Sequence, residues 1–210
     1  MKIGIIIINW NSPQYLQHQI ISIRKFLGVD DIYVFETTKE RKCDQISANN
    51  RVSYHHMPLS GDFSISHATA LNFAYNHLSQ HSYDIIGIID HDCFPFSEYN
   101  IVDMLGEYDV RAEEQIRGDV LYPNTTCIFV RGGLNVNFMP IEGLDTGGQL
   151  SSIYKTECRM NRTEGPYGIE ILDKSFMHIG KGSNWIGTED NKDRIEKAFE
   201  YIKSYVNLSP

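Results

Sequence analysis

Asp84-Ile85-Ile86-Gly87-Ile88-Ile89-Asp90-His91-Asp92 is the stretch on which the fold turns. Its apolar, β-branched centre, bounded by polar residues, predicts a strand buried on both faces. Two carboxylates stand at the carboxyl end, the edge at which open α/β sheets bind ligands. Aspartates one residue apart can aim their oxygens at one point, which suits a hard divalent cation bridging a diphosphate. Without a cation they repel by roughly 2–3 kcal/mol at ~6 Å and an effective dielectric of ~20. The competing reading of Asp-x-Asp is a solvated turn or a helix cap.

Strand and helix signals alternate on either side of this stretch, which argues for an α/β sheet flanked by helices. Residues 2–8 read as a first buried strand. Ser12-Pro13 then supplies a cap and first-turn pair, and Leu16, Ile20, Ile23 and Leu27 recur at helical spacing until Gly28. Ile32 to Phe35 predicts a second strand ending at Glu36, residues 37–50 a loop, and residues 51–55 a short third strand. Ser66 is the expected cap of a helix whose apolar face holds Ala70, Leu71, Ala74 and Leu78. After the central strand, Ser97 with Glu98 marks a helix carrying Ile101, Met104 and Leu105. Residues 126–130 predict a further strand halted by Arg131-Gly132-Gly133. Leu144-Asp145-Thr146-Gly147-Gly148 opens a helix with Leu150, Ile153 and Tyr154. The last third reads as loop up to Ser175-Phe176-Met177-His178, and a terminal amphipathic helix begins at Glu189.

The chain of 210 residues suits one domain, and we find no repeat, low-complexity tract or linker. A net charge of −8 argues against bulk nucleic acid and anionic lipid as partners. No apolar run approaches the roughly 20 residues of a membrane span. The Ile3-to-Ile8 run is too short for a signal-peptide core and lacks a small-residue cleavage site. Cys43, Cys93, Cys127 and Cys158 show no metal-ligand spacing and read as free thiols, so a cytoplasmic location is expected.

With these elements in place the chain resembles the GT-A-fold glycosyltransferases, family 2-like in general order with a family 8-like C-terminal histidine loop. The resemblance rests on the strand–helix–strand unit ending at Glu36, the His67-Ala68-Thr69-Ala70-Leu71-Asn72 helix, and Asp90-His91-Asp92. Downstream it rests on Leu144-Asp145-Thr146-Gly147-Gly148 and on His178-Ile179-Gly180-Lys181-Gly182-Ser183-Asn184-Trp185. Two departures stand out. Asp145 is single where family 2 usually has an acidic pair, and the histidine loop ends in Ser-Asn-Trp where family 8 has Lys-Pro-Trp. The resemblance implies one GT-A-type domain over 1–210: a nucleotide-binding half (1–92), an acceptor and metal half (93–188) and a C-terminal helix (189–210). It further implies transfer of a sugar from a nucleoside-diphosphate sugar, UDP first among the bases, to a carbohydrate or other acceptor hydroxyl, with Mn2+ or Mg2+.

The resemblance implies roles residue by residue, several of them beside a plainer alternative. Asp92 and His178 are the expected metal ligands, and Asp90 binds the ribose or the metal. An imidazole favours manganese over magnesium. Lys181 is expected at the diphosphate, where leaving-group charge builds, unless it is only an exposed lysine. Trp185 either walls the same loop or belongs to the core. Glu36 accepts from the base unless it is merely solvated, while Asn9 and His67 are expected at the donor. Asp145 is either the general base toward the acceptor hydroxyl or a helix N-cap. The rival readings are a nucleotide-sugar or carbohydrate-binding module without chemistry, and a haloacid-dehalogenase-type phosphatase. The second is disfavoured because that motif sits on a first strand, whereas several elements precede Asp90.

Overall fold

The computed structural model describes residues 1–59, 61–141, 144–150, 156–179 and 189–207. Four strands run parallel: β1 (Ile3–Asn9), β2 (Ile32–Glu36), β3 (Ser53–His56) and β4 (Ile85–Ile89). Between them lie the helices α1 (Pro13–Leu27), α2 (Asp44–Asn49) and α3 (Phe63–Ser79). A long antiparallel hairpin, β6 (Val110–Arg117) and β7 (Val120–Arg131), adds to β4, and β8 (Thr156–Met160) closes the edge. The seven-stranded mixed sheet has the order β3-β2-β1-β4-β7-β6-β8. The expected class, an α/β sheet flanked by helices, is what the chain forms.

Alternation along β1 explains the apolar run. Ile5 and Ile7 pack on the face covered by Leu16, Ile20 and Ile23 of α1, while Ile6 and Ile8 pack on the face covered by Leu71, Ala74 and Leu78 of α3. β4 divides in the same way, with Ile85 and Ile89 on one face and Ile86 and Ile88 on the other. Each fully buried isoleucine contributes about 1.5–3 kcal/mol, so the two strands anchor both layers. Helix α1 ends as the sequence predicts, with Gly28 left-handed at φ 66°.

Several expectations are corrected. The segment 37–50 contains α2, whose start is held from a distance: the Glu36 carboxylate accepts from the Lys42 and Cys43 N–H groups. Helix α3 begins at Phe63 and is capped by Asp62, which accepts from Ile65 N–H at 3.1 Å, so Ser66 lies inside the helix. Helix α4 (Ile101–Leu105) is capped by Asn100, because the Ser97 hydroxyl is engaged with Lys174 and Ser175. Of the helix expected to open at Leu144, residues 144–150 are described, with 146–149 forming a turn and Leu150 helical, while Ile153 and Tyr154 lie outside the described residues.

The largest revision is in the last third, which forms a second sheet. Its antiparallel strands are β5 (Cys93–Pro95), β11 (Phe176–His178), β10 (Glu170–Leu172) and β9 (Arg162–Glu164), in the order β5-β11-β10-β9. Asp173 and Lys174, both at positive φ (51° and 57°), turn β10 into β11, and Ser175 N–H closes the turn on the Leu172 carbonyl at 3.0 Å. Arg111 of β6 donates to Asp173 at 2.6 Å and so ties this turn to the main sheet. Helix α5 (Glu189–Asn207) covers the small sheet, with Ala198, Ile202 and Val206 packed against Phe94 and Met177.

Candidate active site

Asp90 leaves the end of β4, and Asp92 leads into β5 two residues later, so the motif sits where the two sheets meet. The turn is built tightly: Cys93 N–H donates to the Asp90 carbonyl at 2.9 Å. Gln19 of α1, fully buried, donates to the carbonyls of both Asp90 (2.6 Å) and Cys93 (2.9 Å). Sequence reading passed over Gln19, because a polar residue on a helix carries no signal of a partner 71 residues away.

Each aspartate faces its own histidine. Asp92 Oδ1 lies 3.5 Å from His178 Nε2, and β5–β11 pairing, which sets Cys93 opposite His178, creates that approach. Asp90 Oδ1 lies 3.3 Å from His67 Nε2 on α3, off the line of a hydrogen bond, and remains buried without a hydrogen-bond partner. The expected trio Asp90, Asp92 and His178 is therefore divided into two carboxylate–imidazole pairs. Among the described residues no group of three or more His, Cys, Asp or Glu side chains forms a ready metal cage.

The electrostatics are those of buried ion pairs. Burial alone would raise the Asp92 carboxyl, but the charges of His178 and His91 overcome it and hold the carboxyl down at about 2. Burial likewise opposes charge on His178, yet Asp92 and Glu170 outweigh it and raise the imidazole well above its ordinary value. For His67 the burial penalty is outweighed chiefly by Asp90, and its value also rises.

A cleft of about 280 Å³ opens beside the Asp90–His67 pair, lined by Ser64, Gln115, Asn124, Thr125, Asp145 and Thr146 as well. Almost every lining side chain carries a hydroxyl, amide or carboxylate, the inventory that recognises a polyhydroxylated ligand. Asp145 Oδ2 accepts from Arg117 of the β6–β7 hairpin at 2.9 Å, and its Oδ1 accepts from Thr146 N–H at 2.9 Å. It thus lines the cleft and also opens the following turn.

Asn9 and Glu36 are engaged by hydrogen bonds within the protein. Asn9, fully buried, exchanges hydrogen bonds with Ser12 (3.2 Å each way) and shapes the β1–α1 turn. The Glu36 carboxylate is filled from within, accepting from Tyr54 OH (2.6 Å), Thr38 OH (3.2 Å) and two backbone N–H groups. Lys181 and Trp185 lie outside the described residues. Cys43, Cys93 and Cys127 are free thiols and buried.

No protein-family model and no curated protein matches the chain. Among solved structures it is similar to the mannosyltransferase PcManGT of Pyrobaculum calidifontis in complex with GDP-Man and Mn2+, at 12% identity and a TM-score of 0.47, over 62% of this chain and 44% of that one. A cytidylyltransferase of Leptospira borgpetersenii aligns at 16% identity and a TM-score of 0.41, over 63% and 60%. Glucosyl-3-phosphoglycerate synthase of Mycobacterium tuberculosis, in complex with Mn2+, UDP-glucose and phosphoglyceric acid, aligns at 17% and 0.39, over 53% and 43%. The matches thus span less than two thirds of each of these proteins. Among the described residues no helix is long and apolar enough to cross a membrane.

Proposed function

We propose that this chain is a metal-dependent glycosyltransferase of the GT-A type, moving a sugar from a nucleoside-diphosphate sugar, UDP first among the bases, to an acceptor hydroxyl. One observation carries the reading. A carboxylate–imidazole pair, Asp92 with His178, follows two residues after a buried carboxylate oxygen without a hydrogen bond, Asp90 Oδ1, at the carboxyl edge of a parallel strand. Carboxylate oxygens and one imidazole nitrogen fit a manganese-like ion. An incomplete protein cage agrees with a cation that takes the rest of its ligands from substrate phosphates and water.

In this reading Asp92 and His178 would hold the cation, which would supply positive charge to offset the departing diphosphate. Asp90 meets the ribose or the cation, and His67 keeps its carboxylate oriented. Asn9 and Glu36 shape the base pocket through the turns they hold, while Lys181 and Trp185 complete the diphosphate side. Residues 1–92 then serve the donor and 93–188 the acceptor and metal, with 189–210 as the C-terminal segment, whose helix Glu189–Asn207 lies behind the small sheet. The donor sugar occupies the polar cleft, and Asp145 receives the acceptor's proton there. The acceptor oxygen forms its bond to the anomeric carbon as the bond from that carbon to phosphate oxygen breaks, and the electron pair leaves with the diphosphate.

Release of UDP from UDP-glucose and UDP-galactose, and of GDP from GDP-mannose, tests the reading across a panel of acceptor sugars with Mn2+ present. Turnover that falls at least about 100-fold in Asp92→Asn supports it. Turnover unchanged in that variant overturns it.

A further inference from the structure

His178 does not face Asp92 alone. Its Nδ1 lies 2.8 Å from Glu170 Oε2, and Glu170 lies directly opposite it in the β10–β11 pairing. Glu170 Oε1 in turn lies 3.4 Å from Arg162 Nη1 on β9, and the same nitrogen lies 3.1 Å from Glu113 Oε1 on β6. Five side chains therefore run in one line of alternating charge: Asp92, His178, Glu170, Arg162, Glu113. Asn124, which lines the polar cleft, closes the far end by donating to Glu113 Oε2 at 3.0 Å.

Strand geometry explains the line. Directly opposed residues of an antiparallel pair stand on one face within about 5.5 Å, and residues offset by two reach each other diagonally. Glu170 and His178 are such a direct pair, and Arg162, opposite Leu172, is the diagonal neighbour of Glu170. The Asp173-Lys174 turn fixes that register, because slipping by one residue would place Glu170 and His178 on opposite faces. A Glu170 carboxylate can only accept, and its Oε2 stands 2.8 Å from Nδ1. The proton between them then sits on Nδ1, which turns Nε2 toward Asp92.

We infer that Glu170 is a positioning residue for the proposed metal centre, locking the His178 ring so that its Nε2 is presented beside Asp92, with Arg162 holding Glu170 in place. The inference rests on the metal-dependent reading above. It goes further in naming the residues that fix the ligand, none of which carries a motif. Carboxylate partners of ligating histidines change metal affinity by about 10- to 100-fold when removed. A salt-bridge ladder that only held the small sheet together would change stability instead.

The test is Mn2+ affinity, read from the electron paramagnetic resonance signal of free Mn2+, with and without saturating UDP or GDP. Glu170→Leu is expected to weaken Mn2+ binding about 10- to 100-fold. Glu170→Gln, which still offers an acceptor, is expected to recover most of that loss. In a His178→Ala background Glu170→Leu should change affinity less than about twofold, because the two residues act as one unit. Wild-type affinity in Glu170→Leu, or an undiminished effect without His178, overturns the inference and leaves the metal reading standing. A wild-type protein that retains no Mn2+ under any of these conditions removes both. Arg162→Met alters a half-exposed side chain and serves if Glu170→Leu does not fold. It should weaken Mn2+ binding several-fold only when His178 is present, and equal effects in both backgrounds overturn the inference.

Discussion

Gln19→Leu tests whether helix α1 builds the aspartate turn. The substitution keeps the side chain apolar along its stem, shortens it by one heavy atom and removes both donors. The Asp90 carbonyl keeps Cys93 N–H at 2.9 Å, so the Cys93 carbonyl, at 2.9 Å from Gln19, bears the greater loss. A neutral hydrogen bond contributes about 1 kcal/mol net, and a buried acceptor stripped of its donor costs about 1–3 kcal/mol. Against this, Gln19 Oε1 is buried without a partner in the native protein, and the substitution removes that penalty. The balance is a destabilisation of about 2 kcal/mol. For a domain of this size that lowers Tm by roughly 4–8 °C. Urea unfolding followed by circular dichroism reads it as a lower midpoint at constant m-value. A change below about 0.5 kcal/mol, the range of ordinary surface substitutions, would refute the reasoning.

Glu36→Gln replaces two acceptor oxygens with one and turns an amide N–H₂ toward donors. It should cost about 3 kcal/mol in urea unfolding, since bonds to a charged group contribute about 1.5–3 kcal/mol each, and a cost under about 1 kcal/mol would contradict the carboxylate's loop-holding part. The Asp92–His178 pair predicts a pH window in the metal-free protein. Asp92, held at about 2, contributes stability above the ordinary carboxylate value near pH ~4, and this is lost as pH falls toward the folded value. His178, held well above its ordinary value, contributes fully below pH ~6.5 and loses this as pH rises through the elevated value. Unfolding in chelator should therefore show stability falling from pH 6 to pH 9 in the wild type and flattening in His178→Gln. A parallel decline in both proteins would count against the pair.

Legibility in the sequence followed the range of the interactions. The parallel core was readable because β1 and β4 are continuous apolar runs, and burial on both faces leaves no other use for them. The Gly28 stop was readable because it depends on one residue's backbone. The small sheet was not. Its strands are three residues long, too short for alternation to register, and Arg162, Thr163 and Glu164 carry no apolar signal. The caps Asp62 and Asn100 were displaced from Ser66 and Ser97 because several polar residues could serve and tertiary contacts chose among them. Asp90, Asp92 and His178 stood out by type and place. Their division into two pairs, and the line through Glu170 and Arg162 to Glu113, depend on a strand register that no local pattern announces.

In the proposed function the Asp90–Asp92 turn and His178 form the metal-dependent donor site of a sugar transferase. Calorimetric titration of UDP and GDP into the protein, with Mn2+ and with chelator, tests it most directly. One diphosphate should bind with Mn2+, bind far more weakly in chelator, and lose the Mn2+ dependence in Asp92→Asn. Binding of neither diphosphate, or binding indifferent to Mn2+ and to Asp92, would contradict it.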